Sequence, residues 1–147
     1  MRKLLVSAFL IVLAATGYAT AGDTPAPAGA KVYFENLKDG AVVSSPFKVV
    51  FGLSGMGVAP AGVEKAGTGH HHLLIDRKPL GEGPEGKAEL SANLPADEHH
   101  KHFGGGQTEV MLTLSPGKHT LQLVLGDQNH IPHNPPVVSP VITVTVK

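Results

Sequence analysis

The sequence of 147 residues contains no cysteine and no tryptophan. Without cysteine there is no disulfide, no thiolate metal site and no thiol nucleophile. Aromatic residues make up only 5% of the chain, too few for a surface that stacks bases or sugars. Neither sign of charge is in excess, with 12 basic and 12 acidic residues. That balance argues against a basic nucleic-acid face and against an acidic disordered tail. The phosphate-loop pattern G-x-x-x-x-G-K-[ST] fails, because Leu112 stands where its first glycine would be in front of Gly117-Lys118. G-x-S-x-G and H-E-x-x-H are also missing. No stretch after the first residues sustains a 3.6-residue apolar period with helix caps, and none is long enough to span a bilayer.

What is present starts at the N-terminus. Met1-Arg2-Lys3 precedes an apolar run from Leu4 to Ala15, and Ala19-Thr20-Ala21 follows as an A-x-A site. A basic start, a short apolar run and a small-residue cleavage site predict a secretory signal peptide over residues 1–21. Cleavage after Ala21 would leave a slightly acidic periplasmic chain with no membrane insertion. Pro25, Pro27 and the alanines around them predict a flexible, solvated linker over residues 22–30. A single domain is expected over residues 31–147.

That domain reads as strands and turns. Eighteen glycines and 12 prolines suit a turn-rich chain. Strands are expected at Lys31 to Leu37, Pro46 to Leu53, His70 to Asp76, Gln107 to Leu114, His119 to Leu125 and Val138 to Lys147. A short edge strand is expected near Ala88 to Leu94, and Gly55 to Gly69 reads as irregular. Alternation turns Phe47, Val49, Phe51, Val110, Leu112, Leu121, Leu123, Leu125, Ile142, Val144 and Val146 toward a core. About seven short strands with turn signals between them predict an all-β, immunoglobulin-like β-sandwich, with a small β-barrel as the alternative.

Histidine is the outlying residue type. All but one of the nine histidines fall in three short clusters, His70-His71-His72, His99-His100 with His102, and His130 with His133. In an immunoglobulin-like order the loops carrying these clusters meet at one end of the sandwich. Side chains at i and i+2 on a strand share a face, so His70 and His72 are expected to chelate together while His71 points away. His100 and His102 pair in the same way if their segment is extended. A single histidine is ordinarily a surface or core residue with its hydrogen bonds satisfied. Convergence of three clusters instead points to a metal site built from His70, His72, His100, His102, His130 and His133. Imidazole nitrogen without thiolate favours copper, then zinc. Asp76, Asp97, Glu98 and Asp127 are carboxylates placed to support such ligands. The ninth histidine, His119, falls in phase with the core leucines and reads as structural, bonded to a backbone group.

Three blocks carry a resemblance: GHHHLLID at Gly69 to Asp76, HKHFGGGQTE at His100 to Glu109, and PGKHTLQLVLGDQNHIPHNPP at Pro116 to Pro136. They resemble a bacterial exported family known mainly as a domain of unknown function. The resemblance covers roughly Ala30 to Lys147 and implies export and a β-rich domain, but no settled activity. The leading expectation is therefore a periplasmic metal-binding protein without catalytic residues. Two alternatives remain: an envelope interaction module, with a protein partner and a structural or pH-responsive histidine network, and an enzyme using metal-bound water at an open coordination position.

Overall fold

Within residues 22–147, the part of the chain that the computed structural model describes, much of the apolar alternation is realised as strands. The signal peptide expected over residues 1–21 lies outside the described residues. In chain order the elements are β1 (Lys31–Phe34), β2 (Ala41–Val43), β3 (Phe47–Ser54), β4 (Gly57–Val58), β5 (Thr68–Ile75), α1 (Gly86–Glu89), β6 (His100–His102), β7 (Glu109–Leu112), β8 (Gly117–Gly126) and β9 (Ile142–Val146).

They form two sheets. The smaller is antiparallel in the order β1-β3-β7. The larger runs β2-β9-β8-β5-β4, with β6 also paired to β5. β4 and β6 share one edge of β5, β4 against Thr68 and Gly69 and β6 against His72 to Leu74. The sheets curl around a common core in an open, sandwich-like arrangement. Val32, Phe47, Val49 and Phe51 of the smaller sheet meet Leu73, Ile75, Leu121, Leu123, Leu125, Val144 and Val146 of the larger one. Each buried leucine or isoleucine side chain there is worth about 1.5–3 kcal/mol of apolar transfer.

The larger sheet is covered on its second face too, and this positions the site. β5 is buried along nearly its whole length, so its sequence does not alternate between apolar and polar. His71, Leu73 and Ile75 face the main core. His70, His72 and Leu74 face the opposite side. There Leu74, Val124 and Leu94 form a smaller apolar cluster with Leu80 against it, beneath the segment that follows β5.

Several expectations need correction. The edge strand expected near Ala88 is instead the short helix α1. Lys87, Ala88 and Glu89 favour helix, and Glu89 is drawn inward to the Arg77 guanidinium and to the Gly81 N–H, 3.3 Å away. The edge of β5 is in any case already taken by β4 and β6. The segment read as irregular contains β4. The final strand is shorter than expected, starting at Ile142, just beyond Pro140, whose ring nitrogen carries no N–H for a ladder. The segment expected as a solvated linker is docked. Ala26 N donates to Asn134 O at 2.9 Å, Asn134 N donates to Thr24 O at 2.9 Å, and Pro25 and Asn134 form a parallel bridge.

Candidate metal centre

The second face of β5 gathers four histidines. His70 and His72 project from it side by side, with ring centroids 4.8 Å apart. His102 arrives because β6 pairs antiparallel with β5 and sets it directly opposite His72. The second histidine cluster is therefore a strand of the same sheet, rather than a loop that meets the first cluster at the domain end. His130 comes from the segment after β8, which folds back over Gly126. One ligand atom from each of His70, His72, His102 and His130 lies within 4.8 Å of every other.

The nitrogens converge. His72 Nε2 stands 3.0 Å from His70 Nε2, and His70 Nε2 stands 3.1 Å from His130 Nδ1. A ring nitrogen is either a donor or an acceptor, never both at once. His70 Nε2 therefore cannot relay a proton-donating chain from one neighbour to the other. The ring of His102 closes the group, 4.5 Å from that of His130 and 5.0 Å from that of His70. His102 Nε2 is buried with no hydrogen-bond partner, as are the Nδ1 atoms of His70 and His72. A four-nitrogen shell at about 2.0–2.1 Å from an ion needs adjacent nitrogens roughly 3–4 Å apart, which matches the two close pairs. The cluster can thus coordinate a metal ion.

Burial sets the protonation state. It pushes His70 down to about 4, with help from His102 and His130 and against the pull of Asp127. It pushes His72 down to about 2, with the four neighbouring imidazoles adding to the effect. His102 is lowered by burial and then by His130. These three rings are neutral at pH 7 and offer lone pairs without first losing a proton.

Two glycines make the room. A Cβ at Gly126, opposite His70 in the ladder, would lie 2.8 Å from His72 Nε2. A Cβ at Gly104 would lie 2.3 Å from His102 Cε1. Sequence reading overlooked both; the signal was a glycine terminating the apolar β8 run, and another beginning the Gly104-Gly105-Gly106 run after His102.

The remaining expected ligands lie outside this group of converging nitrogens, although the ring of His100 is 5.2 Å from that of His72. His100 is fully buried on the face of β6 that carries His102, but it lies opposite Leu74. The Arg77 guanidinium, which can only donate, points to its Nδ1 at 3.3 Å. The ring proton therefore sits on Nε2, which has no partner. His133 is buried with Nδ1 3.3 Å from Leu125 O and Nε2 3.2 Å from Thr68 O, tying its loop to β8 and β5. His71 points into the main core against Phe51, with ring centroids 5.1 Å apart. Burial pushes it down to about 4, against an opposing pull from the Gln107 backbone, and neither ring nitrogen has a partner of hydrogen-bond geometry. His99 contacts Ile75 O through Nδ1 at 3.0 Å. His119 bonds the Ser115 carbonyl at 2.8 Å, the structural backbone contact expected of it, and also Asp76 at 2.6 Å.

Residues 49–147 match the family described as Domain of unknown function (DUF4399). The chain belongs to that family. All four clustered histidines lie inside the matched region of this DUF4399 member, whereas β1, β2 and the docked N-terminal segment precede it. No curated protein and no solved structure matches the chain significantly.

Proposed function

We propose that this DUF4399 protein is exported to the periplasm and binds one transition-metal ion, copper in first place and zinc next, for metal delivery or buffering. The observation that carries the reading is the convergence of ring nitrogens of His70, His72 and His130 at 3.0 and 3.1 Å, with His102 beside them. Such a set is all nitrogen and spaced for an ion, and burial keeps the rings of His70, His72 and His102 neutral. Cu(II) has the highest intrinsic affinity in the divalent series and accepts tetragonal nitrogen ligands, which places it ahead of Zn(II). When bound, the ion would supply a positive charge that satisfies the converging lone pairs. The chain holds two of these ligands, His70 and His72, on a strand buried on both faces and excludes water from their side. Export is supported by the A-x-A site at Ala19-Thr20-Ala21 behind a basic start and a short apolar run.

The test is metal content and affinity of the untagged protein. Mass spectrometry of the protein isolated from periplasm should find stoichiometric copper or zinc. Competition titration should give binding tighter than about micromolar, equivalent to about −8 kcal/mol. Weak, non-stoichiometric uptake that survives replacement of His70 and His72 would defeat the proposal. Intact mass should correspond to a chain starting at Gly22.

A further inference from the structure

His130 is the only one of the four clustered histidines that no strand carries, and its backbone is unusual. Its φ is +65°, a left-handed conformation that non-glycine residues adopt rarely. Something must hold it there. The carboxylate of Asp127, which is 3% exposed, sits at the centre of the turn. Its Oδ1 accepts from Asn129 N at 2.8 Å and from Ile131 N at 3.0 Å, the two backbone groups flanking His130. The backbone closes the same turn, with His130 N donating to Asp127 O at 3.0 Å and Asp127 N to Ile131 O at 2.9 Å. From outside, Leu94 N donates to His130 O at 2.8 Å.

The other carboxylate oxygen reaches a different part of the chain. Thr24 Oγ1 donates to Asp127 Oδ2 at 2.6 Å across 103 residues of sequence. Thr24 is fixed in turn by its carbonyl, which accepts from Asn134 N. Gly22 is packed so closely that a Cβ there would lie 2.0 Å from Pro132 O. The N-terminal segment is thus a strap lying across the turn that presents His130.

We infer that Asp127 and Thr24 together position His130 as a metal ligand, Asp127 by clamping the turn and Thr24 by fixing the carboxylate from the N-terminal strap. This rests on the metal-binding reading above. The same carboxylate is near enough to His70 to favour positive charge at that ring. The strap lies outside the family match, so in this chain the site is completed by residues that precede the matched region.

Two readouts on the intact protein separate the outcomes. The first is the ring NMR signals of His130 in metal-free protein. Thr24→Val and Asp127→Asn should shift or broaden them, while Thr24→Ser, which keeps the hydroxyl, should leave them as in the wild type. The second is Cu(II) alone, titrated against a competing chelator and followed by electron paramagnetic resonance. Asp127→Asn should weaken binding about tenfold or more and alter the copper hyperfine pattern, as supporting partners of ligands do. Thr24→Val should do the same to a smaller degree, and Thr24→Ser should restore both. Unchanged His130 signals in both Thr24→Val and Asp127→Asn would overturn the positioning role. Changed His130 signals in a protein that binds no copper or zinc would uphold that role and overturn the metal-binding reading instead.

Discussion

His72 and His102 face each other directly across the β5–β6 ladder, with ring centroids 5.1 Å apart. A ladder pair is fixed by backbone hydrogen bonds, so the spacing of these two rings is set by sheet geometry rather than by loop conformation. The histidine cluster inherits the precision of the sheet through this pair.

Removing a ligand should therefore act on binding far more than on folding when the ligand is at the partly exposed rim. His102→Ala and His130→Ala are each expected to weaken Cu(II) binding by at least about tenfold, by the scale on which ligand supports already matter. His119→Ala, at Ser115 and Asp76, should leave binding unchanged. Competition titration of the three variants checks this.

Gly126→Ala is expected to impair binding through shape alone. The added methyl would press on His72 Nε2, 2.8 Å away, in a face with little room to yield. Gly104→Ala should do likewise through His102. Metal affinity, compared with the urea midpoint of the metal-free protein, distinguishes site blockage from general damage.

Acid should destabilise the metal-free fold. His70, His71 and His100 are held down to about 4 and His72 to about 2, whereas the unfolded chain binds these protons near 6.5. Their neutral burial is fully accommodated above pH 6.5, and stability falls as pH drops from there toward 4. His119 acts in the opposite sense. Its hydrogen bond to Asp76 and then that to Ser115 raise its pKa, so its contribution is complete below 6.5 and fades as pH rises through the raised value. Urea midpoints at pH 8, 7, 6 and 5 should decline steeply on the acid side, and His119→Gln should flatten the alkaline side only. A midpoint constant from pH 7 to 5 would contradict the neutral burial of these rings.

Leu123→Ala should cost about 2–5 kcal/mol, the usual range for a fully buried leucine whose cavity cannot collapse. Leu123 is 0% exposed and sits between the two sheets. Denaturant unfolding with an unchanged slope would register it as loss of packing.

The β character and much of the core were legible because strand alternation is a local signal. Phe47, Val49, Leu121, Leu123, Val144 and Val146 all turn inward as the period of two requires. Also legible was the split of His70 and His72 from His71, for the same reason. What the sequence withheld was long-range. Nothing local says that His100 to His102 would pair with β5, so the reading placed that cluster in a loop. Nothing local says that Leu74 would share a face with His100 and that Arg77 would engage the latter. The solvated reading of Thr24 to Ala26 failed because its hydrogen-bond partners, Asp127 and Asn134, lie more than a hundred residues away.

β5 has no solvent side, and this divides the four clustered histidines into two kinetic classes. His70 and His72 can be uncovered only by separating layers on one face or the other, which approaches global unfolding. His102 sits on a three-residue strand and His130 on a turn, both partly exposed, so local opening is expected to uncover them. An ion would accordingly leave by a sequence, with His130 and His102 peeling away first and a two-histidine half-site holding last. Loading would run in reverse. Amide exchange at His70 and His72 is expected at the global rate, and at His102 and His130 well ahead of it.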